Sequence, residues 1–104
     1  MGWFSSKDDP HLGSKSVSWW SRQPTTTVDP RTLRMASTPV DRAAVDYYRR
    51  NPRGRYSRNH DGDPCVVIGR NGKAELRNGK HRALAAIAEG RRLRVRVVDE
   101  RKSR

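Results

Sequence analysis

Between Leu76 and Ala86 the chain reads Leu-Arg-Asn-Gly-Lys-His-Arg-Ala-Leu-Ala-Ala, a strand-like segment that turns through one glycine straight into a helix. This junction restricts the fold more than any other stretch, because a strand end and a helix start must share one corner at Gly79. The first turn of a helix leaves backbone N–H groups without intrahelical partners, and the helix dipole adds positive charge there. Lys80, His81 and Arg82 crowd that same turn. Cations at a helix N-terminus cost roughly 0.3–1 kcal/mol each, so a cluster of them favours a bound anion. Asn78, Gly79, Lys80, His81 and Arg82 are therefore the candidate phosphate-binding residues. The bland alternative is a solvated helix start. His81 also admits two other roles: a core histidine tied to a backbone carbonyl, or a catalytic general acid/base.

At 104 residues the chain holds one small domain, with room for a tail. Hydrophobic and charged residues each make up 33%, so the core must be thin. Lysine and arginine number 23 against 11 acidic residues, a net charge of +12. Such a surface favours polyanions, with nucleic acid ahead of anionic membrane and acidic protein. Residues 65–104 carry 12 basic and 4 acidic side chains, net +8, against +1 for residues 1–24 and +3 for residues 25–64. The basic character thus belongs to the half with the clearest folding pattern. No apolar run reaches membrane-spanning length and no signal-peptide core follows the start, so no membrane partner and a cytoplasmic location are expected. Cys65 is the single cysteine. It excludes an internal disulfide and a zinc site of the paired-cysteine type.

Residues 1–24 show no strand or helix period and read as a flexible N-terminal tail whose aromatics, Trp19 and Trp20 among them, dock on a partner or on the domain. Thr25 to Val28 suits a short strand, and Asp29-Pro30 an N-cap with proline at the first helical position. A helix is expected from Pro39 or Asp41 to about Arg50, with Ala44, Val45 and Tyr48 as its apolar stripe and Pro52 as its stop. Cys65 to Gly69 reads as an apolar strand, Asn71-Gly72 as the centre of a hairpin turn, and Ala74 to Arg77 as the return strand. The helix that follows ends at Glu89 with Gly90 as its stop. Leu93, Val95 and Val97 alternate with Arg92, Arg94 and Arg96 in a half-buried strand with a basic outer face. The domain is set at residues 25–99, and residues 100–104 form a basic C-terminal tail. The order β, turn, α, loop, hairpin, α, β gives a small α+β fold with a mixed sheet and two main helices.

From about residue 25 to 98 the chain resembles the ParB/sulfiredoxin superfamily, in its ParB-like N-terminal domain. Gly79-Lys80-His81-Arg82 stands where that family carries its G-x-H-R motif, followed by the small-residue run Ala83-Leu84-Ala85-Ala86 and the strand Val95-Arg96-Val97-Val98. The resemblance implies phosphate binding at the start of the motif helix, with CTP or ATP/ADP and Mg²⁺ as family ligands. It also implies a phage or mobile-element setting. The departures narrow it. Lys80 stands where a sulfiredoxin has its catalytic cysteine, so this is not a sulfiredoxin. Asn78 replaces the aspartate that kinase-like relatives carry and is unsuited to act as a base. The family's helix-turn-helix and dimerisation domains have no counterpart in these 104 residues, so a DNA clamp of that design is not expected.

From Tyr47 to Arg58 tyrosines interleave with arginines, a composition suited to phosphate contact and base stacking or, more blandly, to a flexible basic loop. Arg49, Arg50, Arg53, Arg55, Arg58, Arg92, Arg94 and Arg96 are the candidate nucleic-acid surface. Asn59-His60-Asp61-Gly62-Asp63 reads as a turn rather than a metal loop, and no metal ligands are assigned. Asp41, Asp46 and Glu75 are the carboxylates available to hold Mg²⁺ or act as a base, and Glu89 belongs at the far helix end. The leading expectation is a phosphate-binding domain for nucleic acid, DNA foremost, or a nucleotide. The alternatives are an enzyme, such as a ParB-like nuclease, NTPase or kinase, using the same site, and a basic protein–protein adaptor anchored by Trp19 and Trp20.

Overall fold

Cys65-Val66-Val67-Ile68 has no polar alternation, and a strand of that kind needs cover on both faces. The computed structural model describes residues 15–56 and 62–102 and supplies both covers. In chain order the elements are α1 (Val17–Ser21), β1 (Thr25–Val28), a 3₁₀ turn (Pro30–Thr32), α2 (Arg42–Arg50), β2 (Cys65–Ile68), β3 (Ala74–Asn78), α3 (Lys80–Glu89) and β4 (Leu93–Asp99). The strands form one mixed sheet in the order β1-β4-β2-β3. β2 runs parallel to β4, and β1 and β3 are the antiparallel edges. Among the described residues the fold is a small, compact α+β domain with a four-stranded sheet and three helices. No helix among the described residues is long and apolar enough to cross a membrane.

On one face of β2, Val66 packs with Leu33, Leu76, Leu93, Val95 and the α3 residues Ala83 and Ala86. Alanines at the contact let the α3 backbone lie close to the sheet. On the other face, Cys65 and Val67 pack under Trp20. β3 ends and β4 begins at the same end of the sheet, because β2 pairs antiparallel with one and parallel with the other. α3, which joins them, therefore crosses the strands, and α2 packs against it.

The second cover differs from the expected flexible tail. Ser16 accepts a hydrogen bond from Trp19 N at 3.1 Å and caps α1, and Trp20 is only 6% exposed. Residues 15–24 thus correspond to the docked-arm alternative and add a third helix to the two expected. A five-residue helix is too short to show a period, so the serine cap was its one sequence signal. Residues 1–14 lie outside the described residues.

The hairpin turn also shifts by one residue from the expected Asn71-Gly72 centre. Gly72 N donates to Gly69 O at 2.9 Å, which places Arg70 and Asn71 at the centre and leaves Gly72 to follow with φ +83°. Asn71 Oδ1 accepts from Lys73 N at 2.9 Å. Three-residue loops of this kind, a turn and then a left-handed glycine, are common in hairpins. The remaining boundaries agree with expectation. Asp41 caps α2 through Ala43 N and Ala44 N, and Asp29 caps the 3₁₀ turn. Gly90 closes α3 with φ +68°, and Arg91 N reaches back to Ala86 O at 2.9 Å.

Gly79 fixes where α3 starts. Its φ is +95°, and a Cβ there would lie 2.7 Å from Pro64 Cβ and 2.9 Å from Pro64 Cα. Conformation and close approach both require glycine. Gly79→Ala is expected to cost about 3 kcal/mol, from left-handed strain plus the clash, whereas Gly90→Ala, with open space around it, costs about 1 kcal/mol. Urea denaturation of both variants checks this, and equal losses would contradict it.

Candidate functional site

The corner built by Gly79 is largely engaged with the protein itself. Asn78 Oδ1 accepts from Gly79 N at 2.9 Å, and the open side of Gly79 holds Pro64. Lys80 Nζ donates to Ala36 O at 2.7 Å, Thr38 O at 2.6 Å and Thr38 Oγ1 at 3.2 Å, which engages its three protons. His81 Nε2 accepts from Asp41 N at 3.0 Å. Lys80 and His81 thus hold the connection that leads into α2. Lys80 contributes its charge near the helix start, but its donors face inward.

Arg82, on the same turn of α3, holds its guanidinium 5.8 Å from the centre of the Tyr48 ring and lines a groove of about 650 Å³. Four further arginines line the same groove: Arg53 from the loop after α2, Arg91 and Arg92 from the α3–β4 junction, and Arg94 from β4. Its apolar floor includes Tyr48, Pro52, Pro64, Ala86 and Leu93. Ala86 lies one helical turn beyond Arg82, so α3 offers a cation and a small apolar surface side by side. Asp63, the one carboxylate among the described lining residues, is ion-paired to Arg96 Nε at 3.1 Å.

The arginines divide by partner. Arg31 meets Asp29, Arg49 meets Glu89, Arg77 meets Glu75, Arg96 meets Asp63 and Arg101 meets Asp99. In the groove, Arg91 and Arg92 donate to neutral partners. Arg91 Nη2 donates to Tyr48 O at 3.3 Å, at the carbonyl-rich end of α2, where cations are favoured. Arg92 Nη2 donates to Thr27 O at 3.1 Å. Arg53 and Arg94 are exposed and make no ion pair among the described residues. The charges of Arg53 and Arg94 are therefore uncompensated by the described residues where the wall is concave, and such a wall concentrates the field that an anion feels.

Two tyrosines place Arg53. Tyr47 Oη accepts from Arg55 N at 3.2 Å and Tyr48 Oη from Tyr56 N at 3.1 Å, pinning residues 52–56 onto α2. The rings of Tyr47, Tyr48 and Tyr56 stand 5.3–6.4 Å apart by centroid. Alternating tyrosine and arginine was visible in sequence, and here tyrosine is the anchor and arginine the presented charge.

Of the expected nucleic-acid surface, Arg53, Arg92 and Arg94 meet in the groove together with Arg82. Arg50 and Arg55 are exposed outside it, and Arg49 and Arg96 are ion-paired. Arg58 and the residues 59–61 lie outside the described residues. Arg91 was missed because it precedes the strand alternation, although its place just after the helix-stopping Gly90 marks it as part of the turn. The carboxylates proposed for base or Mg²⁺ duty have other work. Asp41 caps α2, Glu75 pairs with Arg77, and Asp46 lies 4.0 Å from Arg49. No group of three or more His, Cys, Asp or Glu that could hold a metal ion occurs among the described residues. A nucleotide with Mg²⁺ fits the Gly79–His81 corner poorly for these reasons. No protein-family model, curated protein or solved structure matches this chain.

Two outcomes follow from these bonds. Lys80→Met is expected to cost about 1–2 kcal/mol by chemical denaturation, the loss of partly exposed charged hydrogen bonds, and no loss would contradict the clamp. The hydrogen-bonded Arg49 guanidinium holds the Glu89 carboxyl below the usual range. A folded pKa below the unfolded one stabilises above the unfolded value, and that gain fades as pH falls through the folded value. Arg49→Gln should raise the Glu89 midpoint toward the ordinary value in an NMR carboxyl titration. An unmoved midpoint would contradict the pairing.

Proposed function

We propose that this chain is a ParB/sulfiredoxin-like phosphate-binding domain that binds nucleic acid, DNA foremost, through the arginine groove. The observation that carries this reading is the meeting of Arg53, Arg82, Arg91, Arg92 and Arg94 around one concavity whose single described carboxylate is ion-paired elsewhere. The element order β, turn, α, hairpin, α, β supports the family likeness. Within the Gly79–Arg82 turn, Arg82 is the ligand contact, and Gly79, Lys80 and His81 position it.

Guanidinium groups suit this task because their planar fork of donors matches two phosphate oxygens and stays charged at any physiological pH. Each phosphate neutralised releases condensed counterions, so affinity falls as salt rises. CTP or ATP/ADP carries the same phosphate chemistry and competes for the same groove. A cleavage or transfer step needs a positioned base, and His81 is engaged with Asp41. The proposal is therefore binding without turnover.

Fluorescence anisotropy with labelled 20-mer DNA tests it. Affinity is expected to fall steeply between 50 and 200 mM salt, and Arg53→Ala and Arg94→Ala should each lower the log–log slope by roughly 0.7–0.9. Arg49→Ala, which removes a neutralised arginine, should leave the slope unchanged. Failure of any DNA to bind at 50 mM salt, or an equal effect from Arg49→Ala, would overturn the reading.

A further inference from the structure

The groove presents arginines and little else. Tyr48, Pro64, Ala86 and Leu93 close its floor and are buried, whereas Arg53, Arg92 and Arg94 on the rim are exposed. Asparagine, glutamine and exposed aromatic rings, side chains that commonly read bases or stack on them, are absent from the described lining. The rim continues onto edge strand β1. There the exposed Thr27 stands directly opposite Arg94, and the exposed Thr25 lies two residues along on the same sheet face. Arginine and threonine are both donors of the kind that contact phosphate. Resting on the nucleic-acid reading above, we infer that this row grips the sugar–phosphate ridge of an intact duplex and is indifferent to base sequence.

Shape and charge both lead there. A protein reads the bases of a duplex by pushing a helix or a β-ribbon into the major groove, which is about 12 Å wide. Here the arginines stand around a hollow of about 650 Å³ instead, and a hollow receives a convex ridge. A single strand offers unpaired bases, but a closed floor gives those bases nothing to lie on. The strand must also be ordered on binding, a cost that a duplex escapes because its phosphates already stand in a regular row. Duplex DNA is the more highly charged polymer, releasing about 0.9 counterion per phosphate contact against about 0.7 for a single strand. Three contacts, at Arg53, Arg92 and Arg94, therefore favour the duplex several-fold at moderate salt. Base-paired DNA and RNA share such a ridge.

Five labelled 20-mers, compared by anisotropy on the full chain at 100 mM salt, test this: an A·T-rich and a G·C-rich DNA duplex, a mixed-sequence RNA duplex, oligo-dT and oligo-U. The expected result is that the DNA duplexes, or the RNA duplex, bind about fivefold tighter than the single strand of the same sugar. The tighter of the two kinds is the source of the ridge. The A·T-rich and G·C-rich duplexes should agree within about threefold, and Arg94→Ala should weaken both by the same factor. Single strands bound as tightly as their duplexes in both sugars, or a larger gap between the two DNA sequences, overturn the inference and leave the nucleic-acid reading standing. Binding of none of the five overturns both.

Discussion

The contact between Gly79 and Pro64 is the constraint on which the rest of the structure depends. A positive φ turns the chain sharply at the end of β3, and the missing side chain lets the residue ahead of β2 pack into the turn. Beside it, Cys65 pairs with Asn78 and Val66 with Leu76, so Arg77 is an extra residue that bends β3 into the corner. With the corner set, α3 crosses the sheet on its alanines and delivers Arg82 to one side. Lys80 and His81, from the same turn, take hold of residues 36–41 and direct the chain into α2. One junction thereby places both helices that form the groove.

Gathering cations is unfavourable unless something offsets their mutual repulsion. Several groove arginines are held by neutral groups. Arg91 uses carbonyls at the end of α2, Arg92 uses Thr27, Arg82 rests against a tyrosine ring, and Arg53 sits on a loop tied by two tyrosine hydroxyls. Carboxylates are employed elsewhere. On the outer surface they neutralise Arg31 and Arg101, and the Arg101 hydrogen bond draws the Asp99 carboxyl down to about 2.

Much of the fold was legible because its signals are local. A proline after an aspartate, an apolar run of strand length, a glycine ending a helix and alternation around Arg94 each act within a few residues. The hairpin turn moved by one residue because Asn71 hydrogen-bonds to Lys73 in its own turn, a choice that the Asn-Gly pair does not reveal. α1 escaped notice because Trp20 has no pattern to announce it, only a partner, Val67, far along the chain. The candidate site residues were legible by type but not their bonds. Cations at a helix start were visible in the sequence, whereas the hydrogen bonds that tie Lys80 and His81 to residues 36–41 ahead of α2 were not. Arg82, Arg92 and Arg94 were identifiable by type. Their convergence with Arg53 and Arg91 depends on α3 crossing the sheet, which is a property of the topology.

The central proposal is one of location: the charge of a bound anion would meet the groove arginines and pass over the ion-paired ones outside that set. Arginine Nε–Hε resonances, followed by two-dimensional NMR during titration with a short DNA strand, measure this residue by residue. The account predicts large shifts for Arg53, Arg82, Arg91, Arg92 and Arg94, with Arg31, Arg49, Arg96 and Arg101 nearly still. Shifts spread evenly over all the arginines, or centred on the paired set, would contradict it.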